Sequence, residues 1–92
     1  MKKWILMASL CLVAVAAQAQ SYKEYVRKAL DAMSMDSTEV AERLFREAMR
    51  VEPAQRSNAM IYYQIGRMQE HRGKLEKALE SYTMGLNVAP HV

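Results

Sequence analysis

The stretch that decides the fold lies in the last third of the chain and reads Ile65-Gly66, Gly73-Lys74-Leu75, Ala78, Tyr82, Gly85-Leu86 and Pro90. It places small side chains, an aromatic and a terminal proline in the order that two antiparallel helices with a tight turn require. The same layout occurs upstream and ends at Pro53. A repeated helical hairpin predicts an all-α solenoid fragment, and solenoids mostly bind other molecules rather than catalyse reactions.

The N-terminal segment has the layout of a secretory signal peptide. Lys2 and Lys3 precede an apolar run over residues 4–17, and Ala17-Gln18-Ala19 supplies a small-x-small cleavage site. We predict cleavage after Ala19, with cleavage after Ala17 as the alternative. The apolar run is shorter than the roughly 20 residues of a spanning helix. An uncleaved membrane anchor is therefore the less favoured interpretation, and it would be the chain's only contact with a membrane.

The predicted organisation is a signal peptide over residues 1–19 and one helical repeat domain over residues 20–92. Cys11 is the only cysteine and leaves with the signal, so the exported domain forms neither a disulfide nor a thiolate metal site. Without Lys2 and Lys3, 11 of the 13 basic residues face 10 acidic ones, a net charge of +1. This balance gives no support for nucleic-acid binding.

Four helices are predicted in the exported domain, each near 15 residues and therefore roughly 22 Å long. The first begins at a capping box formed by Ser21 and Glu24, and Asp36 is expected to cap the second. Pro53 ends the second helix, Ser57 caps the third, and Gly73 ends the third. The predicted helices cover residues 21–33, 36–52, 57–71 and 74–88. The second helix is expected to bury Val40, Ala41, Leu44, Phe45, Ala48, Met49 and Val51, and the fourth shows Leu75, Ala78, Leu79, Tyr82 and Leu86 on one side.

Small residues recur where paired helices must approach closely. Gly66 and Ala78 flank the second turn twelve residues apart, and Ala29 and Ala41 have the same separation in the first hairpin. Glycine inside a helix costs about 1 kcal/mol relative to alanine, so Gly66 indicates a packing requirement. The residues that follow at matched offsets of four, seven and twelve are Phe45 and Tyr82, Ala48 and Gly85, and Pro53 and Pro90.

With these features the chain resembles the tetratricopeptide repeat family, whose helix–turn–helix unit has about 34 residues. The second unit, residues 59–92, is the closer match through Tyr62, Ile65-Gly66, Gly73, Lys77-Ala78-Leu79, Tyr82, Leu86 and Pro90. The first unit, residues 22–55, fits through Tyr25, Ala29, Ala41, Phe45, Ala48 and Pro53. It departs from the family at Lys28, where leucine is usual, and at Asp36, where the turn glycine is usual.

The resemblance implies a right-handed superhelix whose concave groove is lined by the first helix of each unit. Carried over by position, the groove residues are Met60, Tyr63, Arg67, Glu70 and His71 in the second unit, and Lys23, Val26, Leu30 and Met33 in the first. We expect this groove to bind a peptide or a partner helix, because flexible methionine and rigid tyrosine suit adaptable contacts. The alternative is that Met60 and Met33 only pack against neighbouring helices. The family's basic clamp for carboxylate tails is not expected, since Val26 and Leu30 occupy its positions.

The residues give no support for catalysis, a cofactor or a metal site. His71 sits at a helix end, where an imidazole meets free carbonyls, and His91 has no evident partner. The serines at 21, 34, 37, 57 and 81 fit caps, turns or a helix surface, and no nucleophile-elbow motif surrounds them. No combination of residues meets the requirements of an active site, so an enzyme is not predicted.

Two hairpins are fewer than the three or so repeats that usually suffice, and a side of the last helix around Tyr82 and Leu86 is expected to face water. We therefore expect the isolated chain not to be a stable monomer, and self-association through the uncapped last helix is one outcome. The predicted function is an exported protein-interaction scaffold, periplasmic or secreted. The alternative is the N-terminal sensory portion of a larger envelope signalling protein. The identity of the partner does not follow from the residues.

Overall fold

The structure, a computed structural model, describes the backbone of residues 2–90 and the side chains of residues 17–90. Its four helices are α1 (Lys2–Ser34), α2 (Thr38–Val51), α3 (Asn58–His71) and α4 (Leu75–Val88). Residues 2–90 contain no strand, which confirms the all-α class. The side chain of Cys11 and residues His91 and Val92, for which predictions were made above, lie outside the described part.

The helices pack as two hairpins. α1 lies along α2, α3 lies along α4, and α2 contacts α3. Each hairpin has a three-residue connection, 35–37 in the first and 72–74 in the second. Helices that are joined so closely and pack along each other must run antiparallel. Within residues 2–90, no helix combines the length and the apolar character needed to cross a bilayer.

The bounds of α2, α3 and α4 agree with the prediction to within about two residues, the usual uncertainty of such bounds. The start of the first helix was wrong, because α1 runs without interruption from Lys2 to Ser34. Residues 17–21, Ala-Gln-Ala-Gln-Ser, contain neither glycine nor proline to break it. Ser21 therefore lies inside the helix and is not an N-cap.

The two hairpin turns have the same backbone hydrogen bonds, 37 residues apart. The amides of Asp36 and Ser37 donate to the carbonyls of Met33 and Ala32 at 3.1 and 2.9 Å. The amides of Gly73 and Lys74 donate in the same way to the carbonyls of Glu70 and Gln69, at 3.0 and 2.8 Å. This is the Schellman arrangement, whose residue just beyond the helix adopts the left-handed conformation.

Asp36 and Gly73 are those left-handed residues, with φ values of 59° and 78°. The prediction that Asp36 caps α2 was wrong: the N-cap position belongs to Ser37, whose side chain makes no capping hydrogen bond. The physical reason is that Asp36 is committed to ending α1, where aspartate is one of the few residues other than glycine that tolerate this conformation.

The core runs through both hairpins. Ala29, Ala41 and Ala48 are fully buried, as is Phe45, the largest fully buried side chain of the first hairpin. In the second hairpin the buried apolar residues are Ala59, Ile61, Ile65, Met68, Ala78 and Ala89. Three residues that were expected to be buried on α2 are not: Val40 is 39% exposed, and Leu44 and Val51 are half-buried. Ile61, which the sequence analysis did not single out, is 4% exposed.

At Gly85, α4 lies close to the backbone of α3. A Cβ atom at this position would lie 3.1 Å from the carbonyl oxygen of Ala59 and 3.3 Å from Cβ of Tyr62. A residue with a Cβ atom at position 85 would therefore require a small shift of the α3 or α4 backbone. The end of α4 is therefore held against the beginning of α3.

Candidate functional site

All nine residues assigned to the groove line one of three neighbouring depressions. The first depression has a volume of about 400 Å³ and lies between α1 and α3. Its lining includes four of the nine residues, namely Lys23, Val26, Leu30 and Met60. A second depression, of about 650 Å³, contains Met33, Arg67, Glu70 and His71. The third, of about 440 Å³, lies between α3 and α4 and contains Met60 and Tyr63. The helical hairpins thus bring residues from two distant parts of the sequence to shared surfaces.

The apolar members of this set are partly open to solvent. Leu30, Met60 and Tyr63 are each between 47% and 49% exposed, while Val26 and Met33 are half-buried. The charged members, Lys23, Arg67, Glu70 and His71, are exposed. Because half-exposed apolar side chains alternate with charges of both signs, the surface offers apolar contacts and a choice of polar ones.

Tyr63 and Tyr82 form an aromatic pair at the edge of the third depression. Their ring centres are 5.7 Å apart with planes inclined by 43°, inside the range of favourable aromatic contacts. The guanidinium carbon of Arg67 lies 5.9 Å from the centre of the Tyr63 ring, at the limit of a cation–π contact. Arg67 therefore lies at one edge of an aromatic surface.

Glu70 is placed by Tyr82, whose hydroxyl donates to Glu70 Oε1 at 3.3 Å. The pKa of the Tyr82 hydroxyl is raised above its ordinary value. The main cause is desolvation, and the second is the negative charge of the neighbouring Glu70 carboxylate. Tyr82 thus stays neutral, and keeps its donor, at physiological pH. The bond connects a core aromatic of α4 to an exposed charge of α3.

A buried hydrogen-bond cluster holds the two hairpins together beneath the first depression. The hydroxyl of Tyr22 donates to Asn58 Oδ1 at 2.8 Å and lies 2.8 Å from the hydroxyl of Ser57. Asn58 Nδ2 donates in turn to the carbonyl of Glu52 at 2.9 Å. Ser57 is the N-cap residue of α3, as predicted, but its side chain makes no capping bond. The cluster fixes the beginning of α3 to α1 and to the end of α2.

A second polar cluster joins three helices on the other side of α3. Ser81 Oγ donates to Gln69 Oε1 at 2.6 Å, and Gln69 Nε2 lies 3.5 Å from Glu42 Oε1. The same carboxylate oxygen lies 3.4 Å from Arg72 Nη2. The placement of Ser81 on a helix surface was wrong, since it is 5% exposed and paired with Gln69.

Sequence reasoning missed both clusters. Their members include Tyr22, Asn58, Gln69 and Ser81, three of which are polar residues on the apolar faces of their helices. A polar residue on the apolar face of a helix could have indicated a buried hydrogen bond, because buried polar groups almost always have hydrogen-bond partners. The partners themselves come from other helices and cannot be read from helical spacing.

Two arginines of α2 form ion pairs with glutamates of the same helix. Arg46 lies 3.8 Å from Glu42, and Arg50 lies 2.9 Å from Glu47. No group of three or more histidine, cysteine or acidic side chains within the described residues has a geometry that could hold a metal ion. His71 lies in the second depression, where it is exposed.

Comparison with known proteins adds no relative to this description. No family model, curated protein or solved structure matches the chain.

Proposed function

We propose that the chain is an exported interaction module of the tetratricopeptide-repeat type, which binds a peptide or a partner helix along the surface formed by α1 and α3. Two antiparallel hairpins with matching turns and matching small residues support the repeat assignment. The exported location is supported by the signal-like sequence of residues 1–19. The module acts as a scaffold and carries no catalytic role.

One observation carries this proposal. Residues that lie 30 to 37 positions apart in sequence line the same depressions, with Val26 and Leu30 of α1 beside Met60 of α3. Met33 lies in the same way beside Arg67 and Glu70. A surface that spans two repeats and mixes apolar and charged side chains is what a bound segment of several residues requires.

The side chains suggest how a ligand is selected. Apolar groups of the ligand would contact Leu30, Met60 and Tyr63, and methionine adapts to different ligand shapes. Arg67 and Glu70 present opposite charges close together, and so favour a ligand with charges in the reverse order.

The surface is largely preformed. The Tyr22–Asn58 hydrogen bond fixes α1 to α3, and the Tyr82–Glu70 hydrogen bond fixes α4 to α3. Binding to a surface that is already ordered avoids part of the entropy cost of association. We therefore expect little backbone change when a ligand binds.

A peptide array tests the groove. The exported chain is incubated with an array of peptides, and the sequences that bind are measured again in solution with the variants Tyr63→Ala and Arg67→Ala. Each variant is expected to weaken binding by about tenfold, the effect of losing about 1.4 kcal/mol. The matched control is Arg43→Ala, which removes an exposed arginine from α2, outside these depressions, and is expected to leave binding unchanged. Binding that survives both groove variants would remove the proposed site.

The exported location has its own test. Expression of the full chain in a secreting bacterium, followed by intact mass measurement of the exported product, gives the first residue of the processed protein. We expect Gln20, and Gln18 is the alternative product of the upstream site. A product that retains residues 1–17 in the membrane fraction would contradict export as a free protein without touching the groove argument.

A further inference from the structure

The two positions at which the signal peptide is expected to be cut share one feature. Cleavage after Ala19 leaves Gln20 as the first residue, and cleavage after Ala17 leaves Gln18. Either product therefore begins with glutamine. The chemistry of the new amino terminus is the same at both cuts, and it rests on the export that is part of the proposed function.

The structure leaves both glutamine side chains outside the packed domain. Gln18 and Gln20 are exposed, and so is Ser21. Among the side chains of residues 17–90, Tyr22 is the first that is buried, with 7% of its surface exposed. A glutamine at the new end can therefore fold back on its own amine without disturbing the core. In the uncut chain the same nitrogen belongs to a peptide bond, so the reaction has to follow cleavage.

An amino-terminal glutamine contains both reactants of a ring closure. The α-amine nitrogen attacks Cδ of its own side chain, so that the N–Cδ bond forms and the Cδ–Nε2 bond breaks. Nε2 leaves as ammonia with a proton from the amine, and no external reactant is needed. The two groups are tethered in one residue, which favours the reaction strongly over its intermolecular equivalent. An α-amine ordinarily titrates just above neutral pH, so a fraction of it is uncharged and nucleophilic there.

We propose that the exported chain is modified at its first residue, where Gln20, or Gln18 after the alternative cut, closes to pyroglutamate. The product is a lactam that has no α-amino group. Its formation removes the positive charge that cleavage creates at the beginning of α1, where the helix dipole disfavours a cation. It also leaves no α-amine for an aminopeptidase to recognise.

The modified residue lies next to a contact that joins the two hairpins. Tyr22 follows Gln20 by two positions, and its hydroxyl donates to Asn58 Oδ1 at 2.8 Å. An enzyme that removes residues one by one from an amino terminus would reach Tyr22 after Gln20 and Ser21. The loss of Tyr22 would leave the buried Asn58 Oδ1 without its donor. The closed ring therefore protects a link between α1 and α3.

Mass spectrometry of the exported chain tests this modification. The purified chain is kept at neutral pH for several days, and its intact mass is measured before it is digested with trypsin. We expect the amino-terminal peptide, residues 20–23 or 18–23, to have lost the mass of one ammonia. Its position distinguishes this loss from a loss at the asparagines, which lie further along the chain. Stepwise chemical degradation from the amino terminus is the second measurement, and it is expected to release no residue.

The double variant Gln18→Met/Gln20→Met is the matched control. Methionine is an unbranched, uncharged helix former of similar length, but it has no amide carbon to attack. Both positions are changed so that a shift of the cut cannot restore a glutamine at the end. The variant is expected to keep its full mass and to release methionine first.

The outcomes separate this inference from the proposed export. A processed wild-type chain that keeps its ammonia and releases glutamine would overturn the inference and leave export intact. Loss of ammonia from the same peptide of the double variant would also overturn it. A chain that retains residues 1–17 would contradict export and the modification together.

Discussion

The aromatic ring of Tyr82 lies directly over Gly66. A Cβ atom built at residue 66 would be 2.6 Å from Cε1 and 2.8 Å from Cδ1 of that ring, closer than real contacts allow. The relationship explains why a helix interior contains glycine at this point. The same Tyr82 side chain also donates a hydrogen bond to Glu70, a groove residue of α3. Tyr82 therefore connects the packing of the second hairpin to the groove.

Gly66→Ala is expected to destabilise the protein although alanine is the better helix former. The added methyl must displace the Tyr82 ring, and overpacking of this kind costs about 1–3 kcal/mol. This loss exceeds the gain of about 1 kcal/mol from helix propensity. The free energy of unfolding is measured by urea titration, with circular dichroism as the signal.

The double variant Gly66→Ala/Tyr82→Leu is the control for that clash. Leucine leaves room for the methyl, so the two changes together should cost less than the sum of the single changes. A Gly66→Ala protein that is more stable than the wild type would show that the ring moves aside freely.

Asp36→Gly is expected to stabilise the first hairpin. Asp36 has a φ of 59°, the conformation that Gly73 adopts in the second turn. Relief of the left-handed strain is worth about 1–2 kcal/mol, and the greater freedom of glycine in the unfolded chain offsets about 0.4–1 kcal/mol. A net gain of roughly 1 kcal/mol is expected as a higher urea midpoint.

Gly73→Ala and Asp36→Ala serve as the opposing controls. Alanine lacks both the freedom of glycine and the tolerance of aspartate for this conformation, so both variants should be less stable than the wild type. If Asp36→Gly lowers the midpoint, the left-handed conformation of residue 36 is not the source of strain proposed here.

Tyr22→Phe is expected to cost about 1–3 kcal/mol, because it leaves the buried Oδ1 of Asn58 without its donor. Tyr22 is 7% exposed and Asn58 is 2% exposed, so water cannot readily replace the hydroxyl. The matched control is Tyr25→Phe on the same helix, where the half-buried ring loses a hydroxyl outside this cluster. Equal midpoints for the two variants in thermal unfolding would argue that the Tyr22 cluster contributes nothing.

Ala78→Leu is expected to force α3 and α4 apart and cost about 1–3 kcal/mol. Ala78 is 2% exposed, so we expect a larger side chain at this position to displace its close-packed neighbours. Its neighbour Lys77 is exposed, so Lys77→Leu should change stability by no more than about 0.5 kcal/mol. An unchanged thermal midpoint for Ala78→Leu would disprove the close helix crossing.

The helices and their ends were largely predictable because their signals are local. Pro53 ends a helix because proline restricts the backbone of the residue before it, and Gly73 does so because glycine adopts the left-handed conformation at low cost. The small residues Ala29 and Ala41 mark positions that are buried. The failures have the same physical origin. Ser21 looked like a cap because a capping box is a four-residue pattern, and whether the preceding backbone continues as helix depends on residues outside it.

The candidate groove was predictable only as a set of positions. Val26, Leu30 and Met60 were assigned to the groove by position, through the resemblance to a repeat family. Their convergence on one depression required the packing of α1 against α2 and of α2 against α3. The polar partners of Asn58 and Gln69 were beyond reach for the same reason, since each comes from another helix.

By itself the sequence determined that the chain forms helical hairpins, where three of the four helices begin and end, and which small residues are buried, because backbone restriction and helical period act over a few residues. The tertiary structure alone decided that Tyr82 lies over Gly66, that Tyr22 and Asn58 join the hairpins, and that three leucines of α4 stay exposed. These depend on how helices distant in sequence are placed against one another, and no local pattern specifies the neighbour that covers a given face.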